Sequence, residues 1–128
     1  MPSELERNIP NNPNWEGSFY ETLTEYGEWN AEAFWKLHLE LTFIAKGVNA
    51  ESPVNRELSY MLLYLQQRVL NLISAHFNGN DCFKIKNLTN EQLFEFKERF
   101  EMAILGVITG EVLSESSFDL INPLLKNA

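Results

Sequence analysis

Three glycines divide this chain into helical units. Gly47, Gly79 and Gly110 each follow a long segment in which apolar residues recur at helical spacing. Glycine readily adopts the left-handed backbone conformation that often ends a helix, because it has no Cβ atom to clash. The pattern therefore predicts a helical protein in which these glycines terminate successive helices.

The clearest helix start lies in the last third of the chain. Thr89 and Gln92 have the spacing of a capping box, in which each side chain bonds a backbone N–H of the first turn. This predicts a helix that reaches about Thr109 and buries one apolar face. The same periodicity predicts that Arg99 lies on the opposite, outward face.

Three further helices are predicted from similar signals. Ser52 followed by Pro53 predicts a helix over 52–77, since the N–H that proline lacks has no partner in a first turn. We expect this helix to lie at the centre of the core. Asn30 predicts a helix over 30–46, and apolar spacing predicts a short one over 18–26.

The segments between and beyond these helices complete the predicted fold. We expect 1–14 to be an extended N-terminal arm, 80–86 an extended connection and 114–123 one last short helix capped by serine. The prediction is an all-α fold, a single-domain helical bundle of four to six helices over 1–128. The oligomeric state stays open, because a second core layer or a dimer seam would equally use Tyr60, Leu63, Tyr64 and Leu70.

The charge of the chain limits its partners. The formal net charge is -8, and residues 1–40 hold eight acids and two basic residues, a net -6. Binding to nucleic acid needs clustered Lys and Arg to release phosphate counterions. The sequence therefore predicts no direct nucleic-acid ligand and a local cause for the acidity.

The ends of the chain and its single cysteine indicate a compartment. The first ten residues carry charge and proline where a signal peptide needs an apolar core, and no run approaches the length of a membrane span. Cys82 has no second cysteine to pair with, which fits a reducing environment and a structural thiol. We expect a cytoplasmic protein without membrane contact.

The most specialised segment lies between Trp15 and Trp35. It contains all three tryptophans and five glutamates, with no lysine or arginine. Uncompensated negative charge speeds the encounter with a basic partner, and aromatic side chains supply buried contact area. The sequence therefore predicts a surface that binds a basic partner, formed by Glu21, Glu25, Glu28, Glu32, Trp15, Tyr26 and Trp29.

A structural interpretation of the same residues stays open. Gly27 can break the helix, in which case Glu28 and Glu32 belong to the start of the next helix and are stabilised by its dipole. For each tryptophan taken alone, core packing is the favoured role, while for the segment as a whole we favour binding.

Residues able to carry chemistry are few. We expect His38 and His76 to be structural, since the residues three before them are Trp35 and Ile73 rather than the glutamates of a di-iron site. No zinc-ligand spacing, phosphate-binding glycine loop or nucleophile elbow occurs. The sequence predicts a protein that is not an enzyme and has no metal or cofactor; an enzyme would need both histidines and Cys82 to converge.

The aromatic and acidic segment also carries a family resemblance. The run NWEGSFY at 14–20, followed by Trp29-x-x-x-x-Phe34-Trp35, resembles helical immunity proteins of contact-dependent growth inhibition and other polymorphic toxin systems of bacteria. The resemblance covers the N-terminal third and the overall size. It implies a non-catalytic protein that binds and neutralises a cognate basic toxin, for which a nuclease is the natural candidate.

A second class of function remains open beside it. A helical regulatory adaptor that binds a basic host protein, such as a transcription factor, would use the same acidic surface. Genomic context separates the two, because an immunity protein is encoded next to its toxin.

Overall fold

The computed structural model describes residues 3–49 and 51–125. These residues contain five α-helices, one 3-10 turn and no strand, so the predicted all-α fold class is confirmed. The helices are α1 (Ser3–Glu6), α2 (Phe19–Tyr26), α3 (Ala31–Lys46), α4 (Arg56–Phe77) and α5 (Asn90–Thr109), and the 3-10 turn is Glu115–Ser117.

Helix α3 is the centre of the fold. It contacts α1, α2 and α5, and its interface with α5 is the most extensive between the described helices. Seven of its sixteen residues are buried, among them Trp35, His38 and Leu41. The prediction that the 52–77 helix is central is wrong, because α4 leaves a face with Tyr60 and Leu63 exposed to solvent.

Capping side chains begin α2, α3 and α5 where the sequence predicts. The side-chain oxygens of Ser18, Asn30 and Thr89 each accept a hydrogen bond from the backbone of the helix that follows. The capping box of α5 is complete, since Thr89 N also donates to Gln92 Oε1 at 2.9 Å. These local signals fix three helix starts.

The start of α4 differs from the prediction. The N-cap lies three residues after the expected Ser52, at Asn55, whose Oδ1 accepts a hydrogen bond from Leu58 N at 3.1 Å. Asparagine caps helices as well as serine does. Ser52 instead belongs to a turn in which its N–H donates to Asn49 O at 2.9 Å.

The glycines end the helices in different ways. Gly110 takes the predicted left-handed conformation with φ 79°, whereas Gly47 is right-handed with φ -90°. Helix α4 ends at Phe77, and its C-cap is Asn78 rather than the expected Gly79. Gly27 does break the first helical segment, and its φ of 63° ends α2.

The prediction of an extended arm over 1–14 is wrong for its described residues, 3–14. Residues 3–6 form α1, and Leu5 is fully buried. Glu40 of α3 holds the start of α1, where it accepts hydrogen bonds from Glu4 N at 3.2 Å and Leu5 N at 2.7 Å. Buried Asn8 accepts another from Tyr20 N at 2.7 Å. These contacts fold the arm against α2 and α3.

Two segments after α4 complete the fold. The connection over 80–86 contains no strand and is held to the end of α2 by a hydrogen bond of 2.8 Å from Lys86 N to Gly27 O. The last helical turn is capped by Ser114 as predicted, but it ends at Ser117 rather than at Pro123. Within the described ranges, no helix has both the length and the apolar content that crossing a membrane requires.

Candidate functional site

Trp29 belongs to the core and not to the predicted surface. Its side chain is 1% exposed and packs edge-on against Phe19, with ring centroids 4.7 Å apart. Asn87, just before α5, accepts a hydrogen bond from Trp29 N and donates one to Trp29 O, both at 2.8 Å. The indole N–H has no acceptor among the described residues. Because this ring is buried, the prediction of Trp29 as a contact residue is wrong.

The other two tryptophans differ in burial. Trp35 is buried and contacts Phe34, with ring centroids 4.9 Å apart. Trp15 is half-buried and meets Tyr20 edge-on at 5.6 Å. The structure therefore leaves Trp15 as the one predicted tryptophan that reaches the surface of the described residues.

Glu21 is also removed from the predicted surface. It is 6% exposed, and its Oε1 accepts a hydrogen bond from Gly17 N at 2.9 Å. Its own N–H donates to Ser18 Oγ at 3.2 Å. Ser18 Oγ therefore caps the first turn of α2, and the Glu21 carboxylate satisfies the backbone N–H of Gly17 just before the helix.

The remaining three predicted residues on α2 and the loop after it are exposed. Tyr26 is 59% exposed, and Glu25 and Glu28 lie in solvent on either side of it. We call Glu25, Tyr26 and Glu28 the α2 exit. Glu32 is exposed as well, but it pairs with Lys36 at 3.3 Å. An exposed pair of this kind contributes little to stability, so Glu32 remains available to a partner.

The structure brings Trp15 and Glu25 to one shallow hollow beside α2. Tyr20 and Thr24 line it from the helix, and the turn at 10–12 lines it from the other side. Asn11 in this turn has φ 76°, a left-handed conformation that asparagine tolerates better than most residues. Five of the seven predicted residues, Trp15, Glu25, Tyr26, Glu28 and Glu32, thus reach solvent, whereas Glu21 and Trp29 are buried.

The α2 exit is held in place from both sides. Gly27 lies against the Lys84 backbone, and a Cβ atom at this position would collide with the Lys84 carbonyl oxygen. The left-handed φ of 63° adds a second reason for glycine here. Tyr26 and Glu28 therefore flank a fixed point of the backbone.

A second polar site was missed by sequence reasoning. Arg99 is 2% exposed, and its Nη2 donates to Glu115 Oε2 at 2.5 Å and to His38 Nε2 at 3.1 Å. Asn122 completes the group, since its N–H donates to Glu115 Oε1 at 2.7 Å and its side-chain amide lies 2.9 Å from His38 Nδ1. We call these four residues the Arg99 cluster.

The outward placement predicted for Arg99 is wrong. Its position, three residues after Phe96 and four before Ala103, puts it on the buried stripe of α5. This spacing was the one signal in the sequence that could have predicted the burial of Arg99. Its polar partners lie on other elements and cannot be read from the helix itself.

Burial and charge set the protonation of the cluster. The pKa of His38 is lowered to about 4, mainly by burial and also by the charge of Arg99, while the charge of Glu115 acts in the opposite direction. Burial alone would raise the pKa of Glu115, but the hydrogen bonds from Asn122 and Arg99 and the charge of Arg99 lower it overall. The cluster therefore holds a neutral imidazole beside a neutralised ion pair.

The residues considered for chemistry do not meet. His76 Nδ1 accepts a hydrogen bond from Ile85 N at 3.0 Å, and its Nε2 lies 2.9 Å from Asn90 Oδ1. Cys82 is exposed. Over residues 3–49 and 51–125, no three His, Cys, Asp or Glu side chains come together as metal ligands.

Comparison with known proteins returns no relative to set beside this geometry. No protein-family model, no curated protein and no solved structure matches this chain.

Proposed function

We propose that this protein is a non-catalytic binding protein that acts as a bacterial immunity protein in the cytoplasm, where it neutralises a cognate basic toxin through the α2 exit. The observation that carries the proposal is the state of Glu25 and Glu28. Both are exposed beside Tyr26, and no basic side chain of the described residues lies within 4.0 Å of either carboxylate.

The charge of the chain supports a basic partner. The net charge is -8, and Glu16, Glu25 and Glu28 are exposed. The Lys86 side chain lies beside Gly27, so the α2 exit carries more acidic than basic groups without being of one sign. Net negative charge accelerates the encounter with an oppositely charged protein. A nuclease toxin is basic because its substrate is a polyanion, so it matches this surface.

The rigidity of the α2 exit also supports binding. Lys86 N bonds Gly27 O, and the Asn87 side chain bonds both backbone polar groups of Trp29. Contact residues that are already held in place lose less conformational entropy on association. Trp29 therefore supports the surface from the core although it does not form part of it.

The experiment begins with the neighbouring genes. An immunity protein predicts a toxin domain encoded immediately upstream, a one-to-one complex of the two purified proteins, and rescue of growth when this chain is co-expressed with that toxin. A regulatory adaptor predicts no such toxin and no rescue.

Charge reversal then tests whether the α2 exit is the contact surface. The variant Glu25→Lys with Glu28→Lys should weaken protection against the toxin. The matched control is Glu51→Lys with Glu57→Lys, which changes the net charge equally but near the start of α4. The segment that follows the end of α4 is bonded to Gly27, and the 22 residues of α4 separate its two ends by about 33 Å. Equal protection by both double variants would exclude the α2 exit as the contact.

A further inference from the structure

The segment that follows α5 is attached to the helices by side chains. We call residues 114–125 the C-terminal strap. Its backbone hydrogen bonds are local, as in the bond of 3.1 Å from Phe118 N to Glu115 O. Among the described residues, no backbone-to-backbone hydrogen bond joins the strap to a helix. The strap can therefore leave the helices without breaking any of their backbone hydrogen bonds.

The polar attachment of the strap passes through the Arg99 cluster. Arg99 Nη2 of α5 donates to Glu115 Oε2 at 2.5 Å. The fully buried Asn122 side chain donates to Trp35 O of α3 at 3.3 Å and lies 2.9 Å from His38 Nδ1. Within the described residues, these are all the hydrogen bonds between the strap and the helices. One carboxylate and one amide thus connect the strap to two helices.

Apolar packing adds less to the strap than to the helices. Leu125 is buried, Phe118 and Leu120 are partly buried, and Ile121 and Leu124 are exposed. Segments that bury few apolar side chains open at a smaller free energy than the core of a protein. We therefore expect the strap to open before the helices unfold.

The Arg99 cluster requires an uncharged His38. His38 Nε2 lies 3.1 Å from Arg99 Nη2, and a guanidinium has donors but no acceptor, so this contact needs an unprotonated Nε2. A proton on Nε2 would set donor against donor and place a second positive charge beside the guanidinium. The other charged group that acts on His38 is Glu115, which already pairs with Arg99. Protonation of His38 therefore opposes the closed arrangement.

We infer that the C-terminal strap is an acid-sensitive closure: protonation of His38 releases it from α3 and α5 as one unit while the helices stay folded. The pKa of His38 supports this direction, since it is about 4 in the closed protein against an ordinary value of 6.5. The open state then binds the proton first, and closure weakens as the pH falls from 6.5 to 4. The lowered pKa of Glu115 acts in the same direction at lower pH. This inference is independent of the proposed function.

Opening of the strap changes the charge that the protein presents. Arg99 is buried in the closed state, where Glu115 neutralises it. When the strap leaves, the guanidinium loses this carboxylate and reaches solvent between α3 and α5. A protein of net charge -8 then exposes an unpaired cation that the closed state conceals.

The test is amide hydrogen exchange of the full chain, followed by NMR at about pH 6.5 and about pH 4.5, on either side of the range in which closure weakens. The strap amides of Phe118, Asn122 and Leu125 should share one protection factor at each pH. It should lie at least about tenfold below that of Leu65 in the core of α4, because the strap opens without the helices. The shared factor should fall by about tenfold at the lower pH, as the open state takes up a proton on His38.

Three variants assign the effect to the Arg99 cluster. His38→Gln keeps a neutral acceptor for Arg99 but cannot titrate, so it should reduce the change with pH to about twofold or less. Asn122→Ala removes the buried amide and should lower the protection of Phe118 and Leu125 about tenfold at the higher pH. Ile121→Ala, at the adjacent exposed position, should lower it less than about threefold.

Four results would overturn the inference. Strap amides as well protected as Leu65 would mean that the strap opens only when the whole protein unfolds. Protection that does not fall at the lower pH, or that falls as steeply in His38→Gln, would remove the role of His38. Equal effects of Asn122→Ala and Ile121→Ala would show that the buried amide does not hold the strap.

Discussion

At the α2 exit, Glu25 and Glu28 lie in solvent on either side of an exposed tyrosine, whereas the single guanidinium of the Arg99 cluster is 2% exposed and bonded to two other elements. The exposed carboxylates are screened by water, so they stabilise the fold little and remain free to attract a partner. The buried guanidinium fixes the segment after α5 onto α3 and α5. Solvent exposure, more than the number of charges, separates the proposed binding surface from a structural cluster.

The largest contrast should be between two aromatic residues of the predicted contact set. Trp29→Ala removes a buried ring from the core and should lower the free energy of unfolding by about 3–5 kcal/mol. Tyr26→Ala, at the exposed α2 exit, should change it by less than about 1 kcal/mol. Urea unfolding measures both. A small effect of Trp29→Ala would contradict its place in the core.

Removal of the Arg99 side chain tests the other side of the comparison. Arg99→Met leaves Glu115 and His38 without their donor and should lower the free energy of unfolding by about 3 kcal/mol. Adding Glu115→Gln removes the unpaired charge, so the double variant should recover part of the loss. If the single variant is as stable as the unchanged protein, the cluster does not hold the C-terminal segment.

The pH dependence of stability follows from the same cluster. In the unfolded chain His38 takes up a proton near its ordinary pKa of 6.5, whereas the folded protein resists protonation until about pH 4. The unfolded state therefore binds the proton first, and stability falls as the pH drops from 6.5 to 4, by up to about 3 kcal/mol. The lowered pKa of Glu115 extends the loss in the same direction at lower pH.

Urea unfolding over this pH range measures the slope, and His38→Gln is the control. The variant has no titrating side chain at this position and should show a flatter profile between pH 6.5 and 4.5. Equal slopes for both proteins would contradict the burial of a neutral imidazole at this site.

The smallest contrast is between two glutamates of one helix. Glu21→Ala removes the carboxylate that caps α2 and should lower the free energy of unfolding by about 1 kcal/mol. Glu25→Ala, one turn further along α2, should change it by less than about 0.5 kcal/mol. Equal effects would show that the position of Glu21 at the helix start has no consequence.

These contrasts also show how far sequence reasoning reaches in this chain. The helix starts at Ser18, Asn30 and Thr89 follow from side chains within three residues of the bonds they make, so local patterns predict them. The bonds that bury Trp29 and Arg99 involve partners 58 and 61 residues away, Asn87 and His38. No local pattern specifies such partners, because tertiary packing decides which side of a helix is covered.

The predicted contact set shows the same limit. Four spaced glutamates and several aromatic residues read as one surface along a continuous helix, but Gly27 ends α2 between Glu25 and Glu28 and turns the chain. Glu21 then serves the helix start and Trp29 enters the core. The amino-acid composition drew attention to this region of the chain, but which of its residues reach solvent depends on the course of the backbone after Gly27.

The most direct test of the account is the salt dependence of the association rate with the toxin that the proposed function expects to be encoded upstream. For the unchanged protein, the rate should fall steeply as salt rises, since screening weakens steering over distances of about 10 Å. Glu25→Lys with Glu28→Lys should slow association at low salt by about tenfold and flatten this dependence. Glu51→Lys with Glu57→Lys should have a much smaller effect. Identical rates and slopes for the two double variants would contradict steering by the α2 exit.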